Sequence, residues 1–418
     1  MNLSGKRLLL LGGSNSIGDI RRFAEENGVT LLATAHPRYG LTPLKEIAHE
    51  AYDVNAIDEQ GLIQLIRDKH IDGIFPGNNE DIMPHAIAAA ESCGLPFYCD
   101  RTMWDCCANK AKFKQMCREN GIPVARTYDL AAVGPEEIDY PVAVKPADSS
   151  GSQGFSICRE AGELLPAVAR ALPYSRTATV LIEEFIPYDA AIIHYTLANG
   201  EAMFCGISDK KSMLLGAESG SVMALQEFPS ASTQRYLDTL DAKVRTMFRR
   251  AGMHDGPLWI EAFNNNGHFI FNEMGYRFGG SMTYHPIRYF YGVDQLEFML
   301  RYALGEAPAL TAQTALIRQD RPRGKRYSIL PLHTRPGVIA AIEGEEAVAA
   351  MPEVYAYVPI HQTGDVIQAS ATVHQVFCYL HLLYDTAEDL AATVARAGQA
   401  LQVTGQEGEP LLFQLYHF

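Results

Sequence analysis

Leu258-Trp259-Ile260-Glu261-Ala262-Phe263, then Asn264-Asn265-Asn266-Gly267-His268, then Phe269-Ile270-Phe271-Asn272-Glu273, is the stretch whose reading decides what this chain is. Two runs rich in aromatic and β-branched residues flank a cluster of asparagines ending in glycine, the pattern of two antiparallel strands joined by a turn. A three-residue turn, Asn265-Asn266-Gly267 with the glycine left-handed, sets Glu261 opposite Phe271 and makes Glu273 its diagonal neighbour on one face. Two carboxylates so placed among Trp259, Phe263, Phe269 and Phe271 repel each other and lose hydration, and a divalent cation between them removes both penalties. Period two carries Gly275 and Arg277 to the same face. Glu261 and Glu273 are therefore the candidate metal ligands, against the alternative of two solvated strand residues.

Upstream, Pro141 to Lys145 alternates as a strand, and the polar loop Asp148-Ser149-Ser150-Gly151-Ser152-Gln153-Gly154 returns into a second strand, Phe155 to Cys158. Such a glycine-serine flap offers backbone N–H groups and hydroxyls to phosphate oxygens, although most loops of this composition are plain exposed turns. Val180-Leu181-Ile182 leads into Glu183-Glu184-Phe185-Ile186-Pro187, a strand ending in carboxylates at a hinge. A helix begins at Asn109-Lys110, runs through Cys117 and stops at Gly121-Ile122-Pro123. Downstream of Gly279-Gly280-Ser281 an aromatic helical segment is expected over Tyr289 to Leu304, then strands and a helix from Glu388 to Leu401.

At the front, Arg7 to Gly12 reads as a strand entering Gly12-Gly13-Ser14-Asn15-Ser16-Ile17-Gly18 and a helix. Strands at Val29 to Thr34 and Ile71 to Phe75, with a helix near Glu59 to Lys69, continue the alternation of a parallel sheet. The glycines fit no nucleotide fingerprint: Gly12 and Gly13 are adjacent, Asp19 follows Gly18 where a P-loop needs lysine, and Ala33-Thr34-Ala35 carries no ribose-binding acid. A nicotinamide dehydrogenase is disfavoured on that ground.

The chain has 418 residues, 47% hydrophobic and 20% charged, enough for roughly two to four domains with packed cores. A net charge of −14 repels polyanions and, without a basic run, argues against a nucleic-acid partner. No apolar stretch reaches the ~18 residues of a membrane span, and the eight cysteines show no ligand spacing; reduced thiols in a cytoplasmic protein without a membrane are the expectation.

Asn109-Lys110, Val144-Lys145-Pro146 before the flap, Ile182-Glu183-Glu184-Phe185-Ile186, and Trp259-Ile260-Glu261 with Asn272-Glu273-Met274-Gly275-Tyr276-Arg277-Phe278-Gly279-Gly280 follow one another in an order and spacing that resembles the ATP-grasp superfamily. Within it the chain is similar to the carboxylate-amine ligases of the L-amino-acid (dipeptide) ligase kind. The resemblance implies an α/β (α+β) ATP-grasp fold: a Rossmann-like pre-ATP-grasp domain over 1–108, an ATP-grasp domain over 109–310 with a lid over about 125–184, and a C-terminal α+β domain over 311–418. It implies ATP with Mg²⁺, or Mn²⁺ in its place, and small-molecule carboxylate and amine substrates such as amino acids, and it leaves a homodimer open.

By residue, the resemblance gives Lys110 and Lys145 to the α- and β-phosphates, Ser150, Gly151 and Ser152 to the flap, and Glu183, Glu184, Phe185 and Ile186 to adenine. Asp189 becomes a ribose ligand, although the family's glutamate falls one position later, at Ala190. Lys210 or Lys211 reaches the γ-phosphate, Glu261 and Glu273 hold the metal, and Arg277 with Gly279 and Gly280 stabilises the transferred phosphoryl group and the adduct. The family's asparagine two residues after the second glutamate is Gly275 here. Bicarbonate-using ATP-grasp enzymes of the carboxylase or carbamoyl-phosphate synthase kind, and an ATP-binding regulatory protein without catalysis, are the alternatives.

Overall fold

The computed structural model of the chain describes residues 2–12, 15–36, 40–41, 43–148, 153–214, 221–306, 324–369 and 373–413. The N-terminal sheet is built on β1 (Arg7–Leu10), which lies parallel to β2 (Thr30–His36) on one side and β5 (Gly73–Phe75) on the other. β2 also pairs with β3 (Gly40–Leu41) and β4 (Glu50–Asn55). Leu8 and Leu10 pack with Ile20 and Phe23 of α1 (Ile17–Asn27), while Leu9 and Leu11 pack with residues of α2 (Glu59–Asp68) and α3 (Met83–Cys93). Both faces are thus covered, as a parallel sheet requires. The third strand begins at Gly73 rather than at the expected Ile71; Asp72 before it bonds Arg7 twice, its N–H donating to the Arg7 carbonyl at 2.9 Å and its carboxylate accepting from the Arg7 N–H at 2.8 Å. The strand β4 goes beyond the expectation.

Two helices follow, α4 (Arg101–Ala108) and α5 (Lys110–Glu119), split at Asn109, whose side chain accepts from the N–H groups of Ala111 and Lys112. The lid is a four-stranded antiparallel sheet in the order β6 (Thr127–Tyr128), β9 (Val180–Glu184), β7 (Val142–Pro146), β8 (Ser156–Cys158), backed by α6 (Ala161–Ala171). Its small core is made by Val142, Val144, Leu164, Ala167 and Ile182. Asp148, at the base of the flap, accepts from the Ser175 hydroxyl and from the backbone of Arg176 and Thr177. Ser150, Gly151 and Ser152 lie outside the described residues.

The body of the molecule is one eight-stranded antiparallel sheet. Its order is β14 (His268–Gly275), β13 (Gly256–Asn265), β10 (Ala190–Ala198), β11 (Glu201–Leu214), β12 (Ser221–Phe228), β15 (Arg326–His333), β20 (Val376–Tyr384), β18 (Val354–Pro359). Strands past 311 therefore extend the same sheet that carries the glutamates, while α11 (Glu345–Ala349) and α12 (Ala387–Ala400) help enclose a second core around Leu380, Leu390 and Val394. Two short pairs complete this end, β16 (Gly337–Val338) with β19 (Val366–Ile367), and β17 (Ala341–Glu343) with β21 (Gln402–Thr404).

The aromatic segment is two helices rather than one from Tyr289 to Leu304. After α7 (Thr233–Thr239) and α8 (Asp241–Arg250) come α9 (Tyr284–Tyr291) and α10 (Gln295–Ala303), broken at Gly292, whose φ of 75° ends the first helix in a left-handed turn. Asp294 then caps the next by accepting from Glu297 N–H. Where α1, α9 and the C-terminal strands meet, Asp19, Tyr284, His285, Tyr327, Tyr355 and His381 form a buried polar-aromatic cluster.

Candidate active site

The turn between β13 and β14 is tighter than expected. Asn265 pairs with His268, so the loop is the two residues Asn266 and Gly267, both at positive φ (49° and 88°), as a hairpin of this length demands. The register then shifts: Ala262 opposes Phe271 while Glu261 opposes Glu273, which leaves Asn272 as the extra residue of a bulge. The two glutamates are therefore directly opposite, not diagonal, and Glu261 does not face Phe271. The bulge also turns Asn272 into the site, where it reaches both Lys145 and Glu261.

Around this pair the candidate cations converge. Lys110, at the start of α5, lies 3.0 Å from Glu273. Lys210 of β11 lies 2.6 Å from Glu261. Lys145 of the lid donates to Asn272 at 2.7 Å and pairs with Glu183 at 2.9 Å. Lys211, the alternative to Lys210, points to the opposite face and pairs with Asp189 at 2.6 Å, so Lys210 is the lysine beside the glutamates. Asp189 thus stands apart from the Glu261–Glu273 pair.

Electrostatics keeps these groups charged despite burial. For Glu273 desolvation is the largest influence and pushes the carboxyl up, but the charge and hydrogen bond of Lys110, with the charges of Lys145 and Lys210, together outweigh it and hold the group at about 2. Burial likewise opposes the charge on Lys110 and Lys210, and the glutamate each one faces raises it above the usual lysine value. Arg277 lies with its guanidinium 5.2 Å from the Trp259 ring centre and pairs with Glu80 at 2.5 Å. Gly280 is packed so that a Cβ there would stand 3.1 Å from the Asn78 carboxamide.

Asn78, Asn79 and Glu80 follow β5 at the carboxyl end of the N-terminal parallel sheet, the edge where such sheets bind ligands. That edge was the available signal for Glu80, which the reading of the sequence missed. Lys114 was missed too, although its spacing of four from Lys110 puts both on one face of α5. It is 1% exposed and lies 2.5 Å from Glu183, itself 2% exposed. Glu183 is thus a buried partner of two lysines and not a solvated strand end. Glu184 accepts from the backbone N–H of Arg126, and Phe185 N–H donates to Pro141, so part of the hinge's hydrogen-bonding capacity serves the lid itself.

Gly275 has a neighbour where a side chain would go. It opposes Trp259, and a Cβ on it would fall 2.4 Å from the indole.

The donor set fits a hard divalent cation: two opposed carboxylates at hydrogen-bonding distance from ammonium groups that an anion would draw away. Among the described residues no cluster of three His, Cys, Asp or Glu side chains has metal-binding geometry, so remaining ligands would come from phosphate oxygens and water. Lys110, Lys114, Lys145, Lys210 and Arg277 set five cations against the four carboxylates of Glu80, Glu183, Glu261 and Glu273. A chain carrying −14 overall thus gathers these charges with a local excess of one positive charge.

Residues 100–199 match the family described as carbamoyl-phosphate synthase L chain, ATP binding domain. The chain is 28% identical over 207 residues to a formate-dependent phosphoribosylglycinamide formyltransferase of Wolinella succinogenes, covering 48% of this chain and 53% of that protein. The enzyme of the same name from a Synechococcus strain is 27% identical over 322 residues, 74% of this chain and 79% of its own length. The chain spans about half the length of the first of these curated relatives. Among solved structures, the L-amino acid ligase of Bacillus licheniformis superposes with a TM-score of 0.74 at 19% identity, over 96% of this chain and 99% of the other. The biotin carboxylase domain of Hydrogenobacter thermophilus 2-oxoglutarate carboxylase, solved with MgADP and bicarbonate, gives 0.78 at 17%, over 97% and 91%. The chain thus shares the ATP-grasp fold of these structures.

Proposed function

We propose that the protein is an ATP-dependent ligase that activates a carboxylate as an acylphosphate and passes the acyl group to an amine, releasing ADP and phosphate. The observation that carries this reading is the direct opposition of Glu261 and Glu273 with Lys110, Lys145 and Lys210 gathered around them. Domains divide at about 108 and 310 in this reading, the second boundary falling among residues outside those described.

The three lysines hold the phosphate chain, and residues 184–186 of the hinge hold adenine through their backbone. Glu261 and Glu273 would hold Mg²⁺ or Mn²⁺, which would supply positive charge to offset that of the nucleotide phosphates. The substrate carboxylate attacks the γ-phosphorus in line, the bond to the β-bridging oxygen breaks, and ADP leaves. Arg277, kept rigid by Trp259 and Glu80, offers its fork of N–H donors to the transferred phosphoryl oxygens and then to the tetrahedral adduct. The amine adds to the acyl carbon, loses a proton and expels phosphate. Lid closure over the cleft excludes water from the acylphosphate.

A second carboxylate is favoured by the names of the curated relatives, in which formate takes the place of an amino acid. A phosphate-release screen pairing amino acids, formate and bicarbonate with amine acceptors tests the choice. Carboxylate-dependent ADP and phosphate are expected. AMP and pyrophosphate as main products would overturn the acylphosphate route, and turnover with bicarbonate alone would favour a carboxylase.

A further inference from the structure

Glu183 divides its carboxylate between two lysines. Oε1 faces Lys114 at 2.5 Å and Oε2 faces Lys145 at 2.9 Å. The two ammonium groups differ in where they can go. Lys145 is 11% exposed and already donates to Asn272 in the cleft, whereas Lys114 is 1% exposed on the inward face of α5. Lys114 reaches none of the other carboxylates of the site. An ammonium there is expensive to bury, and desolvation with the like charge of Lys145 pulls it down to about 8 even with Glu183 beside it.

The arrangement makes sense if Lys145 has to leave. A phosphate chain recruiting Lys145 would, with a single counter-ion, strand a buried carboxylate and so be resisted by the strength of that ion pair. We infer that Lys114 is a positioning residue for nucleotide binding: it stays against Glu183 as a second counter-ion, so that Lys145 is oriented by Glu183 but free to transfer to phosphate. Lys114 itself touches no substrate and acts through Glu183. This rests on the ATP-binding reading given above.

Calorimetric titration with Mg-ADP, beside thermal melts, tests it on the full chain. Lys114→Met leaves Lys145 as the sole partner of Glu183, and ADP affinity falls by ~10-fold or more while a folded melt is retained. Lys114→Met combined with Glu183→Gln removes both buried charges, releases Lys145, and restores affinity to within ~3-fold of the parent protein. A merely structural role for Lys114 predicts a lower melting temperature with unchanged affinity, and that result overturns the inference. So does failure of the double variant to recover affinity. If the unmutated protein binds no Mg-ADP, the ATP reading itself falls and this inference with it; if it binds and Lys114→Met binds equally well, only the inference falls.

Discussion

The molecule buries two clusters of titratable side chains, and they resolve burial in opposite ways. At the site, Lys110, Lys114, Lys145 and Lys210 stay paired with Glu183, Glu261 and Glu273, and attraction outweighs desolvation in holding the carboxyls of Glu183 and Glu273 low. Where α1, α9 and the C-terminal strands meet, desolvation wins. His285 falls to about 4 although Asp19 lies 3.4 Å away, and His381, whose ring centre is 4.9 Å from that of His285, is pushed well below the usual histidine value. Tyr327, donating or accepting with His381 at 3.0 Å, is pushed well up by burial. One cluster stores separated charges that an incoming anion and cation can claim. The other keeps its histidine rings uncharged, packs them against tyrosines and closes hydrogen bonds, so burial of ionisable groups does not by itself mark a site.

Removing the opposed carboxylates should break the first cluster's function most severely. The double variant Glu261→Gln with Glu273→Gln is expected to lose carboxylate-dependent ATP turnover by ~10³-fold or more, measured as phosphate release. Retention within tenfold would show that the opposed pair holds no essential cation. Next in size is Arg277→Ala, expected to lower turnover by ~10²-fold with ADP affinity little changed, because its charge meets a charge that develops during reaction. An effect confined to the Michaelis constant would make it a binding residue.

Acid separates the two clusters. His285, titrating at about 4 when folded and near 6.5 when unfolded, contributes stability that is complete above the unfolded value and lost as pH falls from there toward 4. Glu273 titrates near 4.5 unfolded and about 2 folded, so its contribution is lost in the lower window. Melting temperatures from pH 7 to 2 should fall in two stages, His285→Phe reducing the upper, which the buried His194, His333 and His381 share, and Glu273→Gln reducing the lower, which Glu183 shares. Loss of both stages in either variant would mean that the clusters are coupled. The smallest effect is expected of His381→Phe, which leaves the Tyr327 hydroxyl without that partner at a cost of ~1–2 kcal/mol in denaturant titration. Turnover should stay within ~2-fold, and a larger loss would give the aromatic joint a part in the reaction.

Much of this was readable from the chain. Strand periodicity gave the lid strands, and the carboxylates flanking an asparagine-glycine turn identified β13 and β14 as the hairpin that matters. What escaped is what depends on register and tertiary partners. A three-residue and a two-residue turn use the same Asn265-Asn266-Gly267 letters, and only the bulge at Asn272 reconciles the shorter turn with glutamates on one face. Lys114 reads as any helix lysine until β9 brings Glu183 against it, and Glu80 gains meaning only when the loop after β5 meets Arg277. The continuation of the central sheet into β15, β20 and β18 is likewise invisible to local pattern, since strand order is a property of pairing and not of propensity.

Trp259 and Gly275 also constrain how this chain can change. An asparagine at 275 by itself would drive its Cβ into the indole, 2.4 Å away, while a smaller residue at 259 by itself would take away the surface on which Arg277 rests and open a void beside it. Each single step is uphill, and the two together restore a packed arrangement. The two substitutions are therefore non-additive, each unfavourable alone and compensated by the other, and the tryptophan holds the position across the strand to glycine. A library varying one position at a time would score both as immutable; one varying them jointly would find the route between the two forms.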